Sequence, residues 1–154
     1  TDAVDSPRSV YAADLDGDGD ADVLSASAFD DRIAWYRNTG GSFSTGTDIA
    51  SPAKGNRADF ASAVYAVDLD GDGDIDVLSA SESDDRIVWY ENTDGNGAFS
   101  TGTEIASPAK GNPADVARAV YAVDLDGDGD PDVLSASVAD DRIVWYENLA
   151  VVAQ

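Results

Sequence analysis

The chain has 154 residues, no Cys, His or Met, and 31 Asp and Glu against nine Lys and Arg, a formal net charge of −22. Such a surface repels nucleic acid and anionic membrane, and the missing Cys and His remove disulfides, thiolate chemistry and the commonest general base. No apolar run approaches the roughly 20 residues that span a bilayer, so membrane insertion is not expected.

An apolar fraction of 43% is enough for a packed core. Strong acidity alone would suggest disorder, but three Trp and six Tyr recur at regular intervals and argue for a fold. The first residue is Thr1 and no signal-like stretch follows it, which reads as a processed or excised piece.

The N-terminal "DAVDSP" (2–7) aligns with "TDIASP" (47–52), making residues 1–7 a candidate closing outer strand. Beyond it the chain is self-similar, and this sets the fold class. Tyr11, Tyr65 and Tyr121 open equivalent units, 54 and 56 residues apart. The length difference falls in one turn, "TGGSFST" (39–45) against "TDGNGAFST" (93–101), where loops tolerate it. Each unit reads as four short strands, in the second unit 63–69, 76–81, 86–92 and 99–106, rich in Val, Ile, Tyr and Trp and separated by Gly, Asp and Asn. Connections this short join antiparallel neighbours. The third strand, "RIVWYEN", is apolar on both faces, as in a sheet covered on both sides. The expectation is an all-β chain of β-propeller blades, each of four antiparallel strands, with a solenoid as runner-up. The blades run over about 8–50, 62–106 and 118–154, in a single module covering 1–154.

Between the first two strands of every unit stands an aspartate loop: "DLDGDGDAD" (14–22), "DLDGDGDID" (68–76) and "DLDGDGDPD" (124–132). Carboxylates this close repel one another unless a cation neutralises them. Hard oxygen donors in a Gly-containing loop suit calcium. Positions one, three, five and nine would ligate through side chains: Asp14, Asp16, Asp18 and Asp22; Asp68, Asp70, Asp72 and Asp76; Asp124, Asp126, Asp128 and Asp132. Asp20, Asp74 and Asp130 at position seven would offer backbone carbonyls and leave their side chains free. An EF-hand is rejected: its acid at position twelve is Ser25, Ser79 or Ser135 here, and the flanks are strand-like. A merely solvated acidic turn is the bland alternative; a purely structural ion is the stronger one, since a cation within one loop pins a hairpin.

A D-x-D-x-D-G-x-x-D loop between the first two strands of a repeated four-stranded unit resembles the FG-GAP/VCBS repeat family. That family includes the calcium-binding blades of integrin α-subunit propellers and some lectin-like propellers. The resemblance covers nearly the whole chain and implies three Ca2+ sites, one per blade, with the ligands named above. The "FG…GAP" signature is replaced by "AV…SAS", which weakens any transfer of integrin-like function.

Closed propellers have about four to eight blades, so three leave a ring open. A homo-oligomer would complete it: a dimer gives six blades and is favoured, a trimer gives nine. The tail "LAVVAQ" (149–154) could instead act as its own outer strand.

Strand alternation places the aspartate loops and "TDGNG" turns at one end of the sheets, and the "DDR" turns and "SPAKGN" loops at the other. The second end carries Lys54, Arg57 and Lys110 and is the more varied. Arg32, Arg86 and Arg142 each follow two aspartates and would form surface ion pairs with them. Trp35-Tyr36, Trp89-Tyr90 and Trp145-Tyr146 point to packing between blades, with a sugar-stacking platform as the alternative.

The expected function is a calcium-stabilised binding, adhesion or assembly module, with a glycan or protein ligand. A purely structural repeat is the second class. Catalysis is not expected, because the loops absorb fifteen of the 31 acids and nothing singles out a catalytic one. Loops of this kind suit millimolar calcium, hence an extracellular or cell-surface setting.

Overall fold

The computed structural model describes residues 4–56 and 58–149, so Arg57 and most of the "LAVVAQ" tail lie outside the described residues. The all-β expectation holds: among the described residues there are thirteen strands and no α-helix.

The first sheet takes β1 (Pro7–Ala13), β2 (Asp22–Ser27), β3 (Arg32–Tyr36) and β6 (Thr47–Ala50) in spatial order, with a small β4 (Asn38–Thr39)–β5 (Ser42–Phe43) hairpin between β3 and β6. The second takes β7 (Ala61–Val67), β8 (Asp76–Ser81), β9 (Arg86–Tyr90) and β10 (Thr103–Ala106). The third holds β11 (Ala117–Val123), β12 (Asp132–Ser137) and β13 (Arg142–Tyr146). All pairings are antiparallel, and no sheet closes on itself. The second strands match their predicted bounds. The fourth is shorter than predicted: Phe99 makes one bridge to Asn92, and Gly102 then turns the chain before β10.

Register explains the stacking. Tyr11 pairs with Leu24 and Leu24 with Trp35; Tyr65–Leu78–Trp89 and Tyr121–Leu134–Trp145 repeat this row. Directly paired residues share a face, so each sheet shows a Tyr-Leu-Trp row on one side and the neighbouring positions on the other. Leu24 and Trp35 of the first sheet join Val64, Val77, Val88 and Tyr90 of the second in one buried cluster. Leu78, with Tyr65 and Trp89 packed alongside, joins Val120, Val133 and Tyr146 in the next. Trp and its following Tyr thus serve opposite interfaces, as packing between stacked sheets requires. Tyr11, Tyr65 and Tyr121 form a column across the sheets, with ring centroids 4.8 and 4.6 Å apart.

The second end of the sheets carries more structure than plain connectors. Ser51 and Ser107 cap one-turn 3-10 helices, Pro52–Lys54 and Pro108–Lys110. Asp31 and Asp85, each with a positive φ, hold the next sheet's lead-in. Their carboxylates accept from the Phe60 and Val116 N–H, both at 2.9 Å, and their carbonyls accept from Ala58 and Ala114 at 3.3 and 3.2 Å. Arg32 pairs with Asp48 across the first sheet, a partner outside the "DDR" turn; Arg86 reaches Glu104 as well as Asp84; Arg142 reaches Asp140.

The N-terminus also differs from its expected alignment. The Asp5 and Ser6 carbonyls accept from Phe29 and Ala28, as those of Asp59 and Phe60 do from Ser83 and Glu82. Ser6 shares the left-handed backbone of Phe60 and Val116. Residues 4–7 therefore align with 58–61 and lead into β1, where the sequence reading made 1–7 a closing strand; residues 1–3 lie outside the described residues.

Packing between sheets yields a prediction at Gly97. It has φ +86°, and a Cβ there would run into the Trp35 ring, whereas Gly55, at φ +77°, faces open space. Gly55→Ala should cost about 1–2 kcal/mol through the backbone alone. Gly97→Ala should cost about 3 kcal/mol or more, because Trp35 must also move. Urea unfolding of the two variants measures both, and equal losses would mean that Trp35 does not pack on this turn.

Candidate metal centres

Each aspartate loop leaves the first strand of its sheet and enters the second. Two glycines in every loop, at positions four and six, take positive φ; in the second loop they are Gly71 and Gly73, at 77° and 97°. They coil the loop so that its N–H groups turn inward. Asp68 accepts from both, Gly71 at 2.8 Å and Gly73 at 3.0 Å, and Asp124 repeats this with Gly127 and Gly129 at 2.7 and 3.1 Å.

Carboxylate oxygens converge in all three loops. Oxygens of Asp14, Asp16 and Asp18, of Asp68, Asp70 and Asp76, and of Asp124, Asp126 and Asp132 lie within 4.8 Å of one another in their respective sets. Positions one and three belong to every set. Position five joins only in the first loop; position nine joins only in the other two. Asp72 and Asp128 accept from the Asp74 and Asp130 N–H, at 2.9 and 3.0 Å. Asp14 Oδ1 and Asp16 Oδ1 are closed off from solvent and accept no hydrogen bond, an arrangement that suits a cation.

Position nine has a second task. Asp22, Asp76 and Asp132 are fully buried. Each accepts an N–H from the head of its loop (Leu15 3.1 Å, Leu69 3.1 Å, Leu125 3.0 Å) and another from just past the third strand (Asn38 2.7 Å, Asn92 2.8 Å, Asn148 2.8 Å). It ties the loop to the sheet whether or not a metal is bound. Burial pushes Asp76 up to about 6 against the pull of those N–H groups. In Asp132, on the sheet with no further sheet stacked over its loop, burial is outweighed by the N–H groups of Asn148 and Leu125, and the pKa falls below its ordinary value. Burial, reinforced by neighbouring carboxylates, also raises Asp16 and Asp70. A bound cation would reverse such shifts by favouring the charged forms.

Two features escaped the sequence reading. The Asp20 side chain is not free: it accepts from the Gly40 N–H at 2.7 Å. Arg37 sets its guanidinium against Asp16 and, at 3.4 Å, Asp18, placing an internal cation beside the first loop. Glu91 and Glu147 occupy the equivalent positions of the other units, so this departure from the repeat was the available signal.

A family model for the FG-GAP-like repeat matches residues 14–79 and again 68–135. The chain belongs to the FG-GAP-like repeat family. Each match runs from one aspartate loop through the second strand of the next unit, so the family repeat and the loop spacing coincide. FG-GAP repeats are generally non-catalytic and typical of extracellular proteins. No curated protein matches the chain. No helix among the described residues is long and apolar enough to cross a membrane.

The two tasks of the loop acids separate experimentally. Asp76→Asn should cost about 1.5–3 kcal/mol even without calcium, because it weakens hydrogen bonds to a buried charge, and should also weaken the calcium response of its loop. Asp70→Asn should leave the calcium-free protein unchanged or slightly more stable and abolish the calcium response of that loop. Chemical denaturation in calcium and in chelator reads both; identical behaviour of the two variants would contradict the division.

Proposed function

We propose that the chain is a calcium-stabilised β-propeller-type module, its three sheets acting as blades, that works in binding or assembly and not in catalysis. The observation that carries this reading is the recurrence of convergent carboxylates at one place in all three repeats, joined in the first loop by buried Asp14 and Asp16 oxygens that no N–H serves. All-oxygen, anionic donors on a glycine-bent loop match the preference of Ca2+ for several oxygen ligands at modest geometric demand. Position one and position three carboxylates would hold the ion in every loop, with position five or nine completing the acidic set. The ion would supply no chemistry beyond charge neutralisation and cross-linking of the loop. Three such ions would raise the formal charge from −22 to −16 and relieve self-repulsion.

Assembly is favoured over sugar stacking by the use made of the tryptophans. Trp35 is 7% exposed, packs at a steep angle to Phe99 of the next repeat with ring centroids 6.2 Å apart, and lies against Gly97, which leaves little of its ring open to a sugar. An extracellular or cell-surface setting, with millimolar calcium, fits sites built this way.

Calorimetric titration and thermal unfolding test the proposal together. Calcium should raise the melting temperature, since an ion present at about 100 times its Kd adds about 2.7 kcal/mol per site. A melting temperature indifferent to calcium and chelator would overturn it. The loops should also differ: Arg37 competes for Asp16, so the first site should be the weakest of three. Arg37→Glu, which installs the residue found at the other two units, should tighten that site by about tenfold. Three equal sites, unaffected by the substitution, would contradict the role given to Arg37.

A further inference from the structure

The same junction is built twice inside the chain, and half of it is displayed at each end of the stack. Between the first and second sheets, the Asp31 carboxylate and carbonyl hold the lead-in of the next sheet, and Asn92 donates its side-chain amide to the Leu15 carbonyl at 2.9 Å. Ile33 is buried with Ala58 and Ala61, and Tyr11 meets Tyr65. Between the second and third sheets, Asp85, Asn148 on the Leu69 carbonyl at 2.8 Å, Ile87 with Ala114 and Ala117, and Tyr65 on Tyr121 do the same.

The third sheet presents the hydrogen-bond-accepting half of this junction again. Ile33 and Ile87 are 0% exposed, yet Ile143 is 83% exposed. Tyr121, Leu125 and Trp145 are likewise uncovered. Asp141 has φ 52°, the left-handed backbone of Asp31 and Asp85, although no lead-in sits on it among the described residues. The first sheet presents the donating half. Val10 is 71% exposed, whereas its counterparts Val64 and Val120 are 5% and 7% exposed. Ser6 keeps the left-handed backbone that aims Phe60 and Val116 at their aspartates. Asn38 donates to its own loop, at the Ala21 carbonyl, as Asn92 and Asn148 do at Ile75 and Pro131, but makes no bond like theirs to a preceding sheet. Gly41 shares the positive φ of Gly97 and faces open space where Gly97 meets Trp35.

We infer that the uncovered face of the third sheet docks on the uncovered face of the first sheet of a second copy of this chain, reproducing the internal junction. Asp141 would receive the Val4 and Ser6 N–H groups, the Leu125 carbonyl would receive the Asn38 amide, Ile143 would cover Pro7, and Trp145 would lie on Gly41. The occupant is a second copy because the two surfaces match each other position by position and both belong to this chain. The contact is head-to-tail and closes where its rotation completes a turn; two copies joined by two identical junctions give six sheets, within the range of about four to eight blades typical of propellers, whereas three would give nine. This rests on the propeller-type reading above, but its test is separable.

Light scattering in calcium should give twice the 16.0 kDa chain mass. Ile143→Lys and Val10→Lys alter side chains that are already exposed in the single chain, and each variant alone should be monomeric. Mixed in equal amounts, they should return a dimer, because one intact face remains on each. A monomeric parent chain, a dimer that survives either substitution, or a mixture that stays monomeric would each overturn the inference. Calcium titration of the monomeric variants reports on the metal reading independently: calcium binding without dimerisation would sink the docking alone, and dimerisation without calcium binding would sink the metal reading alone.

Discussion

Each of the three main sheets is apolar on both faces, and that constraint governs the rest. Such a sheet cannot stand alone in water; it must be sandwiched. The Tyr-Leu-Trp row of one sheet is covered by the Val and Tyr positions of the next, so the repeat is a unit of packing as much as of sequence. Among the described residues, the middle sheet is the one of the three that is covered on both faces. Its residues are the most consistently buried, while the third sheet, with the same sequence pattern, leaves its row in solvent.

Polar groups direct this stacking and fix its register. Asp31 and Asp85 seize the backbone entering the next sheet, and Asn92 and Asn148 reach back to the preceding loop. These bonds are directional where hydrophobic burial is not. The aspartate loop is part of the same frame. Its last carboxylate is a buried anchor joining the loop to the third strand, and its earlier carboxylates gather at the rim. The aspartate loops and the sheet stacking are therefore linked through Leu15 and Leu69, each of which gives its N–H to the anchor of its own loop and its carbonyl to the neighbouring sheet.

Much of this was legible in the sequence. Runs rich in Val, Ile, Tyr and Trp, their short connections and the repeat length pointed to the all-β class and the antiparallel strand order, and "DVLSAS" matched its strand residue for residue. The clustering of aspartates at positions one and three was legible too, because carboxylates at that spacing can converge on one cation. What stayed hidden depends on contacts across the stack. Asp31 reads as half of a surface ion pair until the next lead-in is placed on it. Asp22 reads as a ligand until its burial and its two N–H donors are seen. "DAVDSP" misled because a shared Ser-Pro outweighed the alignment of Val4–Pro7 with Ala58–Ala61, which only the backbone bonds of Asp5 and Ser6 make plain. Arg37 was visible as an odd residue in the repeat, but its reach to Asp16 is a three-dimensional fact.

The central claim is that cations in the aspartate loops stiffen the loops and, through the buried position-nine carboxylates, the stacked sheets. Hydrogen exchange at single-residue resolution, in calcium and in chelator, tests it most directly. The account predicts that calcium slows exchange at the Gly71 and Gly73 amides and, beyond the loop, at the Leu69 and Asn92 amides that bind Asp76. Exchange rates unchanged by calcium at all four would contradict it.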